Sequence, residues 1–234
     1  MKASPSAQSA VAMRRSCPPG RRAAVLLRGE AFRAGHGTTP CRSEHVPLQR
    51  QAWHSLLKHV VEPLEDCGAA VDVAVTECSA ADGCKLVEGE LERVFSGRLI
   101  AKRTRCRTRD QAASMRATLN LFKGVAKPSS YDLILVTRHD LVWTVPLTAW
   151  HSDWRLFNFF SWCERRCTSP AEMFQSNRSC GFPSMGGTPV QCVNDIAHAM
   201  PGALFASFDE VVSAPGLHCF ELNLHWFPDG DKIL

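Results

Sequence analysis

Arg138, His139 and Asp140 stand together at the end of an apolar run, Tyr131-Asp132-Leu133-Ile134-Leu135-Val136-Thr137. Three ionisable side chains at such a place can handle an anion or a cation. A guanidinium at 138 can grip a phosphate through two parallel N–H donors. A carboxylate at 140 is an oxygen ligand for a hard cation such as Mg²⁺ or Mn²⁺. Such ions often take one or two carboxylates and complete their shell with phosphate and water. His139 alternates to the other face of the strand and reads as structural. The competing reading is that the strand simply exits into solvent. The functional reading is preferred because this run is the most β-like in the chain, and open α/β sheets bind ligands at the carboxyl ends of their strands.

The elements that must position these residues alternate. Ala23 to Leu27 reads as a short buried strand closed by Arg28-Gly29-Glu30. Val46 to Asp66 reads as a helix, with Trp53, Leu56, Leu57, Val60, Val61 and Leu64 at helical spacing and Pro63 in its last turn. Ala70 to Val75 is a second strand, and Lys85 to Phe95 a second helix with Leu86, Glu90 and Leu91 in register. Leu99 to Arg103 is a third strand. Asp110 to Val125 is a third helix, its apolar side drawn from Ala112, Ala113, Ala117, Leu119, Leu121 and Phe122. Strands alternating with helices of this length mean βαβ units and a mostly parallel sheet flanked by helices, a three-layer Rossmann-like α/β class. Right-handed crossovers then gather Arg28-Gly29-Glu30, Thr76-Glu77 and Arg138-His139-Asp140 on one sheet edge. The second half is less regular. Phe157 to Trp162 reads as a strand or short helix, 164 to 188 as a loop, and Phe205 to Val212 as an amphipathic helix.

Composition bounds the possibilities. The chain has 234 residues, 45% hydrophobic and 21% charged, enough for one domain with a sizeable core. Residues 1–22 carry Arg14, Arg15, Arg21 and Arg22 and no acid, so they read as a tail or targeting-like segment ahead of a single domain at 23–234. The net charge of +4 suits an anionic ligand without demanding nucleic acid. With Tyr131 the sole tyrosine, the basic–aromatic interleaving of single-strand binders is missing. No apolar run is long enough for a transmembrane helix. The 11 cysteines form no CxxC pair, which argues against structural zinc, although Cys163 and Cys167 sit four apart. A few disulfides are expected if the chain enters a secretory compartment. Walker, GxGxxG, HExxH and GxSxG motifs are missing, which lowers the case for the enzyme classes that use them.

Three segments resemble a known family. Leu26-Leu27-Arg28-Gly29-Glu30-Ala31-Phe32-Arg33, Tyr131 through Leu141, and Val193-Asn194-Asp195-Ile196 with Met200-Pro201 look like uncharacterised glycosyltransferase-like proteins of bacteria, algae and protists. The likeness spans about residues 23 to 226. It implies a GT-A-like fold and a transferase that takes a sugar from a nucleoside diphosphate sugar. In that family type an Asp-x-Asp motif holds a divalent cation, Mn²⁺ or Mg²⁺, against the diphosphate. Asp140 matches its second Asp and is the implied metal ligand and catalytic residue. Arg138 stands where the first Asp belongs, a departure that weakens a metal site and lets Arg138 neutralise the diphosphate directly. Asn194 and Asp195 match a later Asn-Asp that precedes a helix near the acceptor, and Asp195 is the implied base. Arg28, Gly29, Glu30 and Arg33 match the loop that touches the nucleotide.

Blander readings stand beside these. Glu30 also reads as a solvated loop residue, and Asn194-Asp195 as a helix N-cap. His218 and His225 read as packed or exposed. Asn177-Arg178-Ser179 is a glycosylation sequon in form, relevant only in a secreted protein. The rival to an enzyme is a non-catalytic relative that keeps the fold and binds a sugar, nucleotide or protein partner. An incomplete chain is a third reading. Both the cytosol and the secretory pathway or Golgi lumen fit.

Overall fold

The computed structural model describes residues 17–29, 31, 43, 46–78, 85–104, 106, 111–150, 152–160, 181–182, 190–191 and 197–213. Its centre is a six-stranded sheet. In chain order the elements are β1 (Arg22–Arg28), α1 (Val46–Leu56), a π-helical turn (Leu57–Val61), α2 (Glu62–Asp66), β2 (Ala70–Thr76), α3 (Lys85–Val94), β3 (Leu99–Arg103), α4 (Gln111–Val125), β4 (Leu133–Arg138), β5 (Asn158–Phe160), β6 (Gly181–Phe182), β7 (Val190–Gln191), β8 (Ala197–Met200) and α5 (Phe205–Ser213). The sheet order is β3-β2-β1-β4-β8-β5, and β6 and β7 form a separate two-stranded ribbon. β1 pairs in parallel with β2 and β4, and β2 with β3, while β8 runs antiparallel to both β4 and β5.

The chain winds outward from β1 to β3, then returns to place β4 on the other side of β1. The order of the sheet therefore reverses between β1 and β4. Strands buried on both faces read as nearly continuous apolar runs, as β1 and β4 do. One face of the sheet carries Val25, Leu27, Val73, Val75 and Leu135 against Trp53, Leu56, Val60 and Leu64 of the first helical segment and Leu91 of α3. The other carries Ala24, Leu26, Ala74, Ile134, Val136 and Met200 against Leu119 and Phe122 of α4 and Phe205 and Phe208 of α5. The α/β class with a mostly parallel sheet flanked by helices follows directly.

Three details refine the sequence expectations. The helix expected over 46–66 contains a π-helical turn, with the Glu62 N–H bonded to the Leu57 carbonyl. Pro63 follows immediately; it has no N–H to offer, and the wider turn sits just before it. Within the turn the adjacent Val60 and Val61 are both fully buried. On α4 the buried stripe is Ser114, Met115, Thr118, Leu119 and Phe122, with Ala113, Ala117 and Leu121 at its margin; the side chain of Ala112 lies outside the described ones. Asn194-Asp195 lies outside the described residues, and the next described segment, Ala197–Met200, is strand β8 rather than helix.

Residues 17–22 of the expected tail are fastened to the fold. Cys17 is disulfide-bonded to Cys67, and the backbone N–H groups of Arg21 and Arg22 both donate to the Asp132 carboxylate at 2.7 and 2.9 Å. Within the described residues no helix is long and apolar enough to cross a membrane.

Candidate functional site

The carboxyl ends of β1 and β4 lie side by side because their registers match residue for residue through Leu27–Thr137 and Arg28–Arg138. Side chains alternate across a strand, so Arg28 and Arg138 point to one face, the face of Ala24, Leu26, Ile134 and Val136. Thr76, at the end of β2, pairs with Arg103 at the end of β3. The carboxyl edge thus carries a row of Arg103, Thr76, Arg28 and Arg138 across four parallel strands. Arg28 is almost completely buried. Gly29 closes β1 at φ +93°, a left-handed conformation that side-chain-bearing residues adopt at a cost.

Arg138 and Asp140 form a bidentate ion pair: Nε donates to Oδ1 at 2.8 Å and Nη2 to Oδ2 at 2.5 Å. Their side chains are 20% and 25% exposed, so the pair lies at the rim of the edge. Both oxygens of the implied metal ligand are engaged by the guanidinium. Among the described residues no cluster of three His, Cys, Asp or Glu could hold a metal ion. The Asp140 carboxylate is thus held in an ion pair, and the Arg138 guanidinium with it.

His139 lies on the opposite face, as its position in the run requires. Its Nδ1 accepts the Trp53 indole N–H at 3.2 Å, its Nε2 lies 3.1 Å from the Thr76 carbonyl, and its own carbonyl accepts from Gln49 at 2.7 Å. Because the indole can only donate, Nδ1 is the acceptor and Nε2 carries the proton. The ring therefore links β4, β2 and α1 around the end of β1. Burial, reinforced by the positive charge of Arg28 and opposed by the Thr76 bond and by Asp140, pushes its pKa down to about 4. His198 of β8, opposite Val136, is also fully buried, and burial together with Arg28 lowers its pKa to about 3. Both imidazoles are neutral at physiological pH.

Glu77, the residue after β2, is fully buried, and its Oε1 accepts the Ala31 N–H at 3.3 Å. The α1 and α3 helices that flank this edge are bound together by the Arg50 guanidinium, which donates to both oxygens of Glu90 at 2.6 Å. Arg50 holds the Glu90 carboxyl below the usual range.

Of the expected site residues, the fold gathers Arg28, Gly29, Arg138 and Asp140. Glu30, Arg33, Asn194 and Asp195 lie outside the described residues, as do Cys163, Cys167, His218 and His225. Sequence reasoning brought Thr76-Glu77 to the edge but assigned Glu77 no role, and it missed His198. For Glu77 the signal was available, a carboxylate just after the buried run Val73–Thr76. Comparison with known proteins finds no matching family model, no matching curated protein and no matching solved structure.

Proposed function

We propose that the chain is a glycosyltransferase that takes its sugar from a nucleoside diphosphate sugar, with the diphosphate held at the carboxyl ends of β1 and β4. The observation that carries this reading is the pairing of Arg28 with Arg138 where the sheet order reverses. Open α/β sheets bind ligands in the crevice at that point. A phosphate bound there would meet two guanidiniums on adjacent strands, each a donor of charge-assisted hydrogen bonds. The sequence likeness around residues 26–33 and 131–141 supports the same donor class and a GT-A-like arrangement.

In this reading Arg138 exchanges Asp140 for the diphosphate and offsets the negative charge that grows on the leaving group. Asp195 takes the proton of the acceptor. The reaction proceeds without a divalent cation at Asp140, and a requirement for Mn²⁺ points to ligands from outside the described residues. One observation favours the non-catalytic alternative, a donor-binding protein. Arg138 occupies and neutralises the place where the resembled family has two acids.

A thermal-shift screen against UDP-, GDP- and CMP-sugars, with and without Mn²⁺, tests the site, since a ligand of the native state raises the melting temperature. A shift with one nucleotide that is lost in Arg138→Ala supports it, and no shift from a folded sample overturns it. Release of free nucleoside diphosphate in the presence of acceptors separates the enzyme from the binder.

A further inference from the structure

Two disulfides brace opposite edges of the sheet. Cys17–Cys67 joins the segment before β1 to the end of α2 at the amino edge, and Cys78–Cys106 joins the residues after β2 to those after β3 at the carboxyl edge. The second lies next to the turn that follows Arg28. The Cys78 N–H donates to the Gly29 carbonyl at 2.8 Å, and the Glu77 N–H donates to the Arg103 carbonyl at 2.8 Å. The Glu77 carboxylate accepts the Ala31 N–H. Glu77 and Cys78 thus hold the backbone of Gly29 and of Ala31, and the covalent bond to Cys106 holds Cys78. Both cysteines are buried, which suits a lasting brace.

We propose that oxidation sets the end of β1 at the site: forming Cys78–Cys106 locks Gly29 and Ala31 in place, and anion affinity at Arg28 and Arg138 follows from it. Two thiols of the chain lose two electrons and two protons as their S–S bond forms. A protein disulfide oxidant accepts them, its own disulfide becoming two thiols. Disulfides form and persist in oxidising compartments and are rare in the cytosol, so the chain matures in the former. The affinity part rests on the donor-site reading, whereas the locking of Gly29 and Ala31 does not.

The test uses the full oxidised chain, the double variant Cys78→Ser/Cys106→Ser, and Cys17→Ser/Cys67→Ser as the control at the other edge. Hydrogen exchange reads the amides of residues 31 and 78, and calorimetry reads binding of inorganic pyrophosphate. Exchange about tenfold faster at those amides, and pyrophosphate binding about tenfold weaker, are expected in the first variant alone. Unchanged exchange, or an equal rise in the control, overturns the proposal. Faster exchange with no pyrophosphate binding by any of the three proteins leaves the lock standing and removes the donor-site reading. If the first variant does not fold, titrating the native chain with dithiothreitol follows the same amides. A separate early loss of protection at 31 and 78 supports the lock, and purely global loss overturns it.

Discussion

Trp53 donates its indole N–H to Nδ1 of His139, joining the middle of α1 to the residue between Arg138 and Asp140. With Nδ1 accepting from the indole and Nε2 directed at the Thr76 carbonyl, the ring is held in one tautomer. Trp53 also packs edge-on against Phe95, with ring centroids 6.4 Å apart. Trp53→Phe removes the donor and leaves a void beside a buried acceptor. We expect a loss of about 2–4 kcal/mol in urea unfolding with the far-UV spectrum retained. A loss below about 1 kcal/mol contradicts the assigned bond.

The two buried histidines make the fold acid-sensitive. In the unfolded chain each takes up a proton near its ordinary 6.5, while in the folded chain this is delayed to about 4 for His139 and about 3 for His198. Their stabilisation is therefore fully present above pH 6.5 and is lost as the pH falls toward the folded values. The slope is about 1.4 kcal/mol per pH unit for each histidine. Urea unfolding at intervals from pH 7.5 to 4.5 measures it. The variant His198→Gln should lose one histidine's share of that slope, and an undiminished slope would show that His198 is not held neutral.

Asp140→Ala should separate chemistry from stability. Its ion pair with Arg138 is partly exposed, and such pairs contribute up to about 1 kcal/mol. The melting temperature is expected to stay within a few degrees while nucleotide release changes. A collapse of the fold would make Asp140 a structural residue.

Glycines give opposite outcomes at two places. A Cβ on Gly202 meets the Pro128 carbonyl oxygen at 2.2 Å and that of Tyr131 at 2.4 Å, both backbone atoms. Gly202→Ala should cost at least about 2 kcal/mol. Gly89 lies within α3 with nothing within 4 Å of such a Cβ, so Gly89→Ala should stabilise by about 0.5–1 kcal/mol. Differential scanning calorimetry of the two variants checks both signs.

The parallel half of the sheet was legible because β1 and β4 are apolar on both faces and the strands are separated by helices with regular stripes. Leu133–Arg138 announced both a buried strand and a charged end. β8 was not legible: Ala197-His198-Ala199-Met200 is short, weakly β-forming and carries an imidazole, and only its place between β4 and β5 makes it a strand. The π-turn left no trace beyond Pro63. Pairing of Cys78 with Cys106 and Cys17 with Cys67 was hidden because eleven cysteines admit many pairings and no spacing motif selects one. The juxtaposition of Arg28 and Arg138 was legible in part. Strand ends were expected to gather, but the register that sets the two opposite each other comes from the sheet itself.

The sheet order also dictates what a ribosome must release before the fold can close. β4 is made directly after α4, yet its second neighbour, β8, comes only after the residues of β5, β6 and β7 have been synthesised. At about 5–20 residues per second, the nascent protein carries the bare hydrogen-bonding flank of β4 for several seconds. Its apolar Leu133–Val136 segment is a natural binding site for a chaperone during that interval, and a stalled or truncated message leaves it as a seed for aggregation.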